Sequence, residues 1–151
     1  MEPRLSFVTL GVVDLKRATD FYAGVLGLPQ IKTPPAIAFF ELERTYLALY
    51  PRVDLAADAG LRADAGLPDP GPPVSGAFPG FTLAHNVARR KQSTGCWQRS
   101  RRAEDASCSR AARSEFNGYS GYFADPDGFL WEVALQSALP APMTVRRESH
   151  A

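Results

Sequence analysis

Residues 119–133 read YSGYFADPDGFLWEV, and the alternation within that stretch decides the fold. Tyr119, Gly121 and Phe123 alternate with Ser120, Tyr122 and Ala124, while Phe129, Trp131 and Val133 alternate with Leu130, Glu132 and Ala134. A two-residue period on both sides of a break is the mark of two strands. The break is Asp125-Pro126-Asp127-Gly128, where Pro presets φ and Gly tolerates a positive φ, so the chain is expected to reverse there. Glu132 is the odd member of the second strand. It shares a face with Leu130 and Ala134, and an acid on an apolar face is costly unless paired, protonated or bound to a cation.

Working outward, Leu5 to Val13 is a β-rich run, and Asp14 is placed to cap a helix in which Leu15, Ala18, Phe21, Tyr22, Val25 and Leu26 recur at three- and four-residue steps. Gly27 and Pro29 end it. Two strand candidates follow, Ala36 to Leu42 and Thr45 to Tyr50, and Asp54 to Leu61 has the composition of a short helix. Residues 66–80 are a linker, 9 of 15 being Pro or Gly. After it the plan restarts. Phe81-Thr82-Leu83-Ala84-His85-Asn86-Val87 echoes Phe7-Val8-Thr9-Leu10-Gly11-Val12-Val13, which suggests an internal duplication and a pseudo-twofold pair of small sheets.

A chain of 151 residues with 45% hydrophobic content supports one core, so a single domain is expected over 1–137, with a tail at 138–151. Its parts are module one (5–61), a linker (62–78) and module two (79–137). Apolar runs such as Ala36 to Phe40 are far too short for a bilayer, and Met1-Glu2-Pro3-Arg4 lacks the order of a signal peptide, so a cytoplasmic protein without a membrane partner is expected. Cys96 and Cys108 form no disulfide framework and no zinc spacing, and reduced thiols are the expectation.

The net charge of +1 conceals an asymmetry. Residues 88–115 hold 8 of the 17 basic residues and 3 of the 16 acidic ones, leaving the rest mildly acidic and without a basic face for nucleic acid. By symmetry that segment should supply module two's helix. It has 7 Arg, 5 Ser and Trp97 as its one large apolar residue, too little to bury a helix face. A solvated loop, a basic binding segment and a stretch read in a shifted frame of a GC-rich gene are the alternatives.

The phrase Val13-Asp14-Leu15-Lys16-Arg17-Ala18-Thr19-Asp20-Phe21-Tyr22 with Val25-Leu26-Gly27-Leu28, together with Asp125-Pro126-Asp127-Gly128-Phe129-Leu130-Trp131-Glu132-Val133, resembles the vicinal oxygen chelate superfamily. That superfamily includes glyoxalase I, bleomycin-resistance proteins, fosfomycin-resistance enzymes and extradiol dioxygenases. The resemblance implies an α+β fold, two βαβββ modules forming U-shaped mixed sheets around a cleft, and a homodimer. It names a scaffold and no single reaction.

In metal-dependent members of that superfamily a divalent ion takes a His or Gln from each module's first strand and a Glu from each last strand. Carried over, the first-strand places fall at Phe7 and Phe81, the first module's last-strand place falls within Tyr46 to Leu49, and Glu132 alone matches a ligand. A metal site needs at least three protein donors, so no cofactor is expected, with a divalent metal kept as the alternative. His85, four residues after Phe81, would share a strand face with it and add a second donor. Its other readings are a hydrogen-bonded structural histidine, or a substrate contact or general base. For Glu132 the plain reading is an acid held by Arg, Tyr or backbone donors.

Phe7, Phe40, Tyr46, Phe81, Tyr119 and Tyr122 are the candidate lining of a dry cleft suited to a flat organic molecule. A binding protein of the bleomycin-resistance type is therefore expected. A metal-dependent lyase or dioxygenase using Glu132 and His85 is the alternative, and a folded but inactive relic a third.

Overall fold

The computed structural model describes residues 3–61, 80–87, 112–113 and 119–135. Module one runs β1 (Phe7–Val12), α1 (Leu15–Asp20), β2 (Gln30–Ile31), β3 (Ala38–Glu41), β4 (Tyr46–Pro51) and α2 (Arg52–Asp58). Module two contributes β5 (Leu83–Val87), β6 (Ala112–Arg113), β7 (Tyr119–Ala124) and β8 (Leu130–Leu135).

The helix starts where Asp14 requires it. Its carboxylate accepts the Arg17 N–H at 2.9 Å, which satisfies one of the amides a helix start leaves unpaired. α1 passes into a π-helical turn over Phe21–Val25, and Gly27 at φ 72° lets the chain leave it. The short helix of module one spans Arg52–Asp58, two residues ahead of the expected start at Asp54, because it follows β4 directly after Pro51.

The two modules repeat one topology. The sheets have the orders β1-β4-β3-β2 and β5-β8-β7-β6, in which the first and last strands of each module run parallel and the other pairs antiparallel. This is the α+β architecture of two mixed sheet modules that the sequence leads to. The linker at 62–78, nearly all of residues 88–115 and the tail at 138–151 lie outside the described residues.

Both sheets pack onto the same helix. Leu10, Val12, Ala38, Phe40, Leu47 and Leu49 from the first sheet, and Val87, Phe123, Trp131 and Val133 from the second, form one buried cluster with Ala18, Phe21 and Tyr22. The Tyr22 ring touches both sides, with centroids 5.8 Å from Phe40 and 6.0 Å from Trp131. Such aromatic contacts are worth about 0.5–1.5 kcal/mol each beyond the burial of their area. Because strand side chains alternate, the residues between these core positions are turned away from the shared helix.

Candidate functional site

The ladder registers define those outward faces. On the first sheet, Phe7 pairs with Tyr46, Thr9 with Ala48 and Phe39 with Ala48, so Phe7, Thr9, Phe39, Tyr46 and Ala48 share the face opposite the helix. Phe7 stacks on Tyr46 with centroids 5.1 Å apart and an interplanar angle of 22°, and lies 5.7 Å from Phe39. Phe7 keeps 49% of its surface exposed. The face ends at Gly11, where an added methyl would come within 3.2 Å of Leu55 Cδ2, so α2 closes over that end of β1. Tyr50, beside Gly11, is hydrogen-bonded to Asp58 of α2; desolvation, then the Asp58 charge, raise its pKa above 10.

On the second sheet, Glu132 pairs with Ala84 on one side and Tyr122 on the other. The Tyr122 hydroxyl donates to the Glu132 carboxylate. Partial desolvation, the Glu132 charge and that bond together raise the phenol pKa above its usual 10. Leu130 flanks Glu132 along the strand and is half-buried, and the other neighbours are smaller: Ala124 and Ala134 are buried, Ser120 is half-buried, and Ala84 and Asn86 are exposed. The outward face of module two is thus a low shelf bearing one carboxylate and one phenol.

This geometry corrects several sequence expectations. Phe40 is 0% exposed and points into the core against Tyr22, so it is not a lining residue; its neighbour Phe39 takes the outward place. His85 pairs with Val133, whereas Glu132 pairs with Ala84, so His85 and Glu132 fall on opposite faces of their sheet and do not make a two-donor site. Phe81 is two residues before Leu83, the partner of Trp131, and its ring lies 6.0 Å from Phe129, on the side away from Glu132. Phe7, Tyr46 and Tyr122 are outward-facing, as the lining requires. Tyr119 pairs with Leu135 through its backbone, and its side chain lies outside the described residues.

The repeated topology identifies equivalent positions. Phe7 sits one ladder step before Thr9–Ala48 just as Thr82 precedes Ala84–Glu132, so Thr82 is the match of Phe7 and Ala48 the match of Glu132. The sequence brackets Ala48 only within Tyr46 to Leu49, and it points to Phe81 where the register puts Thr82. Phe7 and Ala48 offer no lone pair to a cation, Thr82 offers a hydroxyl, and Glu132 is bonded to Tyr122. That donor set does not fit a divalent metal. Among the described residues, no group of three His, Cys, Asp or Glu is arranged to hold one.

A second polar cluster joins the modules. Asp125 is 0% exposed; its Oδ2 accepts the Tyr22 hydroxyl at 2.6 Å and its Oδ1 the amides of Asp127 at 3.0 Å and Phe129 at 2.7 Å. Burial outweighs those bonds and pushes its pKa up to about 6. Asp127 accepts the Val13 amide at 2.8 Å and faces Arg17 at 3.4 Å, while its buried Oδ2 has no partner; desolvation raises its pKa. No helix among the described residues is long and apolar enough to cross a membrane.

Comparison with known proteins agrees with this architecture. The family model described as Glyoxalase/Bleomycin resistance protein/Dioxygenase superfamily matches residues 4–133. A glyoxalase-related enzyme from Fulvimarina pelagi is similar at 27% identity, with 93% of this chain and 94% of that one covered and a TM-score of 0.76. A lactoylglutathione lyase from Agrobacterium tumefaciens is similar at 25% identity, covering 88% and 93%, with a TM-score of 0.63. A glyoxalase/bleomycin resistance protein/dioxygenase from Nocardioides shares the fold at 24% identity, covering 95% and 91%, with a TM-score of 0.69. A search among curated proteins finds no match.

Proposed function

Because this chain belongs to the glyoxalase/bleomycin resistance protein/dioxygenase superfamily, we propose that it binds a small, flat organic molecule against the aromatic face of module one, without a complete metal site. The observation that carries this reading is the Phe7–Tyr46 stack, flanked by Phe39 and still half open to water. Three rings on one sheet face expose apolar area that a planar ligand would cover, and burial of that kind contributes about 25 cal/mol per Å².

The binding form is a homodimer. Within one protomer the two outward faces lie on opposite sides of the helix layer, with Tyr22 between Phe40 and Trp131. A second copy brings the aromatic face of one protomer against the Glu132–Tyr122 shelf of the other, enclosing a ligand on both sides. Two equivalent sites per dimer follow from the symmetry.

The test is calorimetry and thermal shift of the full chain against a library of planar aromatic metabolites and antibiotics, with and without chelator. At least one saturable ligand is expected, bound equally well in chelator and more weakly by Phe39→Ala. A blank across the library, or a ligand whose affinity ignores Phe39→Ala, would overturn the reading. The metal-dependent lyase or dioxygenase alternative draws support from Glu132 alone, since His85 is on the other face of the sheet.

A further inference from the structure

We propose that the Glu132–Tyr122 pair receives the positively charged nitrogen of a flat organic cation, an inference that rests on the binding reading above. Glu132 is half-buried, and the Tyr122 phenol donates one hydrogen bond to it, while a carboxylate accepts about four. The carboxylate stands on a face whose other side chains are Thr82, Ala84, Asn86, Ser120, Ala124, Leu130 and Ala134. Leu130 bounds the carboxylate at one end of β8, and the small residues Ala84, Ser120 and Ala134 leave room for a ring to lie flat beside it on the other sides.

Charge then selects the ligand. A neutral ring laid on this shelf would strip water from Glu132 and return nothing for it, which penalises the complex. An anionic ring would add repulsion. A cationic ring offsets the lost hydration by pairing with the carboxylate, and its charge is also stabilised over the faces of Phe7, Phe39 and Tyr46 brought by the second copy.

The experiment compares three probes of nearly equal shape on the full-length protein at pH 8 by calorimetry: N-methylquinolinium, neutral quinoline and quinoline-2-carboxylate. N-methylquinolinium is expected to bind about tenfold more tightly than quinoline, and the carboxylate more weakly than either. Glu132→Gln should cut that preference severalfold, to what the aromatic faces alone contribute, and quinoline should bind it at least as tightly as the unaltered protein, which also reports that the variant is folded. Tyr122→Phe should keep the preference, since the charge is unchanged. If Glu132→Gln holds no probe at all, salt titration of the unaltered protein decides: a preference that collapses with added salt supports the assignment, and one indifferent to salt overturns it. Equal affinity for cation and neutral ring, or a preference undiminished by Glu132→Gln, overturns the inference and leaves aromatic binding standing. Failure of all three probes, and of the aromatic library, overturns both.

Discussion

The hydroxyl of Tyr22, on the helix of module one, donates to the buried carboxylate of Asp125 in the turn of module two at 2.6 Å, and itself accepts the Trp131 indole N–H at 3.1 Å. Residues 103 positions apart therefore hold the modules together through one short chain of hydrogen bonds. The Arg17 guanidinium, which reaches the Pro126 carbonyl at 3.2 Å, and the Val13 amide bonded to Asp127 tie the same two elements at the surface. The Asp-Pro-Asp-Gly turn is consequently a clasp as well as a reversal.

Asp125 makes stability fall as pH rises through mild acidity. Its pKa is about 6 in the folded chain against an ordinary 3.8, so the folded state holds the proton that the unfolded state releases. The associated stability is fully present below about pH 4 and lost by the time the pH exceeds about 6, with an upper bound near about 3 kcal/mol. Asp125→Asn, which cannot ionise, should remove this slope. Urea unfolding at half-unit intervals from pH 4 to 7 reads the difference between the two proteins; parallel curves would refute the assignment.

Tyr22→Phe should destabilise the protein by about 2–3 kcal/mol at pH 7, because it deprives both Asp125 Oδ2 and the Trp131 indole of a buried partner. The loss should shrink at pH 5. The Tyr22 bond is one of the interactions holding the Asp125 pKa down, so without it the carboxyl protonates more readily and the buried charge disappears sooner. Denaturant midpoints at the two pH values check this, and an equal loss at both would mean that Asp125 carries no charge in the clasp.

The helix cap, the hairpin and the repeated module plan were legible because each rests on local chemistry: Asp14 beside free amides, Pro126 and Gly128 in a turn, a two-residue alternation on either side. Faces were harder. In Ala36 to Leu42 two phenylalanines are adjacent, and alternation says that they oppose each other without saying which meets the helix. In Leu83 to Val87 apolar residues occur at both parities, so only the ladder with β8 separates Ala84 from His85. The Tyr22–Asp125 bond has no local signature at all, since either residue is accounted for by its own helix or turn.

Phe39 and Phe40 give that ambiguity a measurable form. Phe40→Ala should cost about 3–5 kcal/mol by opening a cavity against Tyr22, with ligand affinity changing little in the protein that remains folded. Phe39→Ala should cost about 1 kcal/mol or less and weaken aromatic binding. Thermal melts and calorimetry on the two variants separate these effects, and reversed outcomes would mean that the strand is turned over.

The equivalence of Phe7 with Thr82 and of Ala48 with Glu132 predicts how a metal site can be rebuilt. Phe7→His, Ala48→Glu and Thr82→His, combined with the existing Glu132, would supply four donors of the kinds that hold zinc, where at least three are needed. Phe7 and Ala48 belong to one sheet face and Thr82 and Glu132 to the other, on opposite sides of the shared helix. The four can therefore converge only between two copies of the chain. The triple variant should take up about one zinc per chain, and zinc should raise its melting temperature and promote its dimer, while the unaltered protein shows neither response. Elemental analysis after dialysis and sedimentation with and without zinc make the measurement. A control carrying His at Phe81 in place of Thr82 decides the register, because zinc held equally well by that control would put Phe81, and not Thr82, on the face of Glu132.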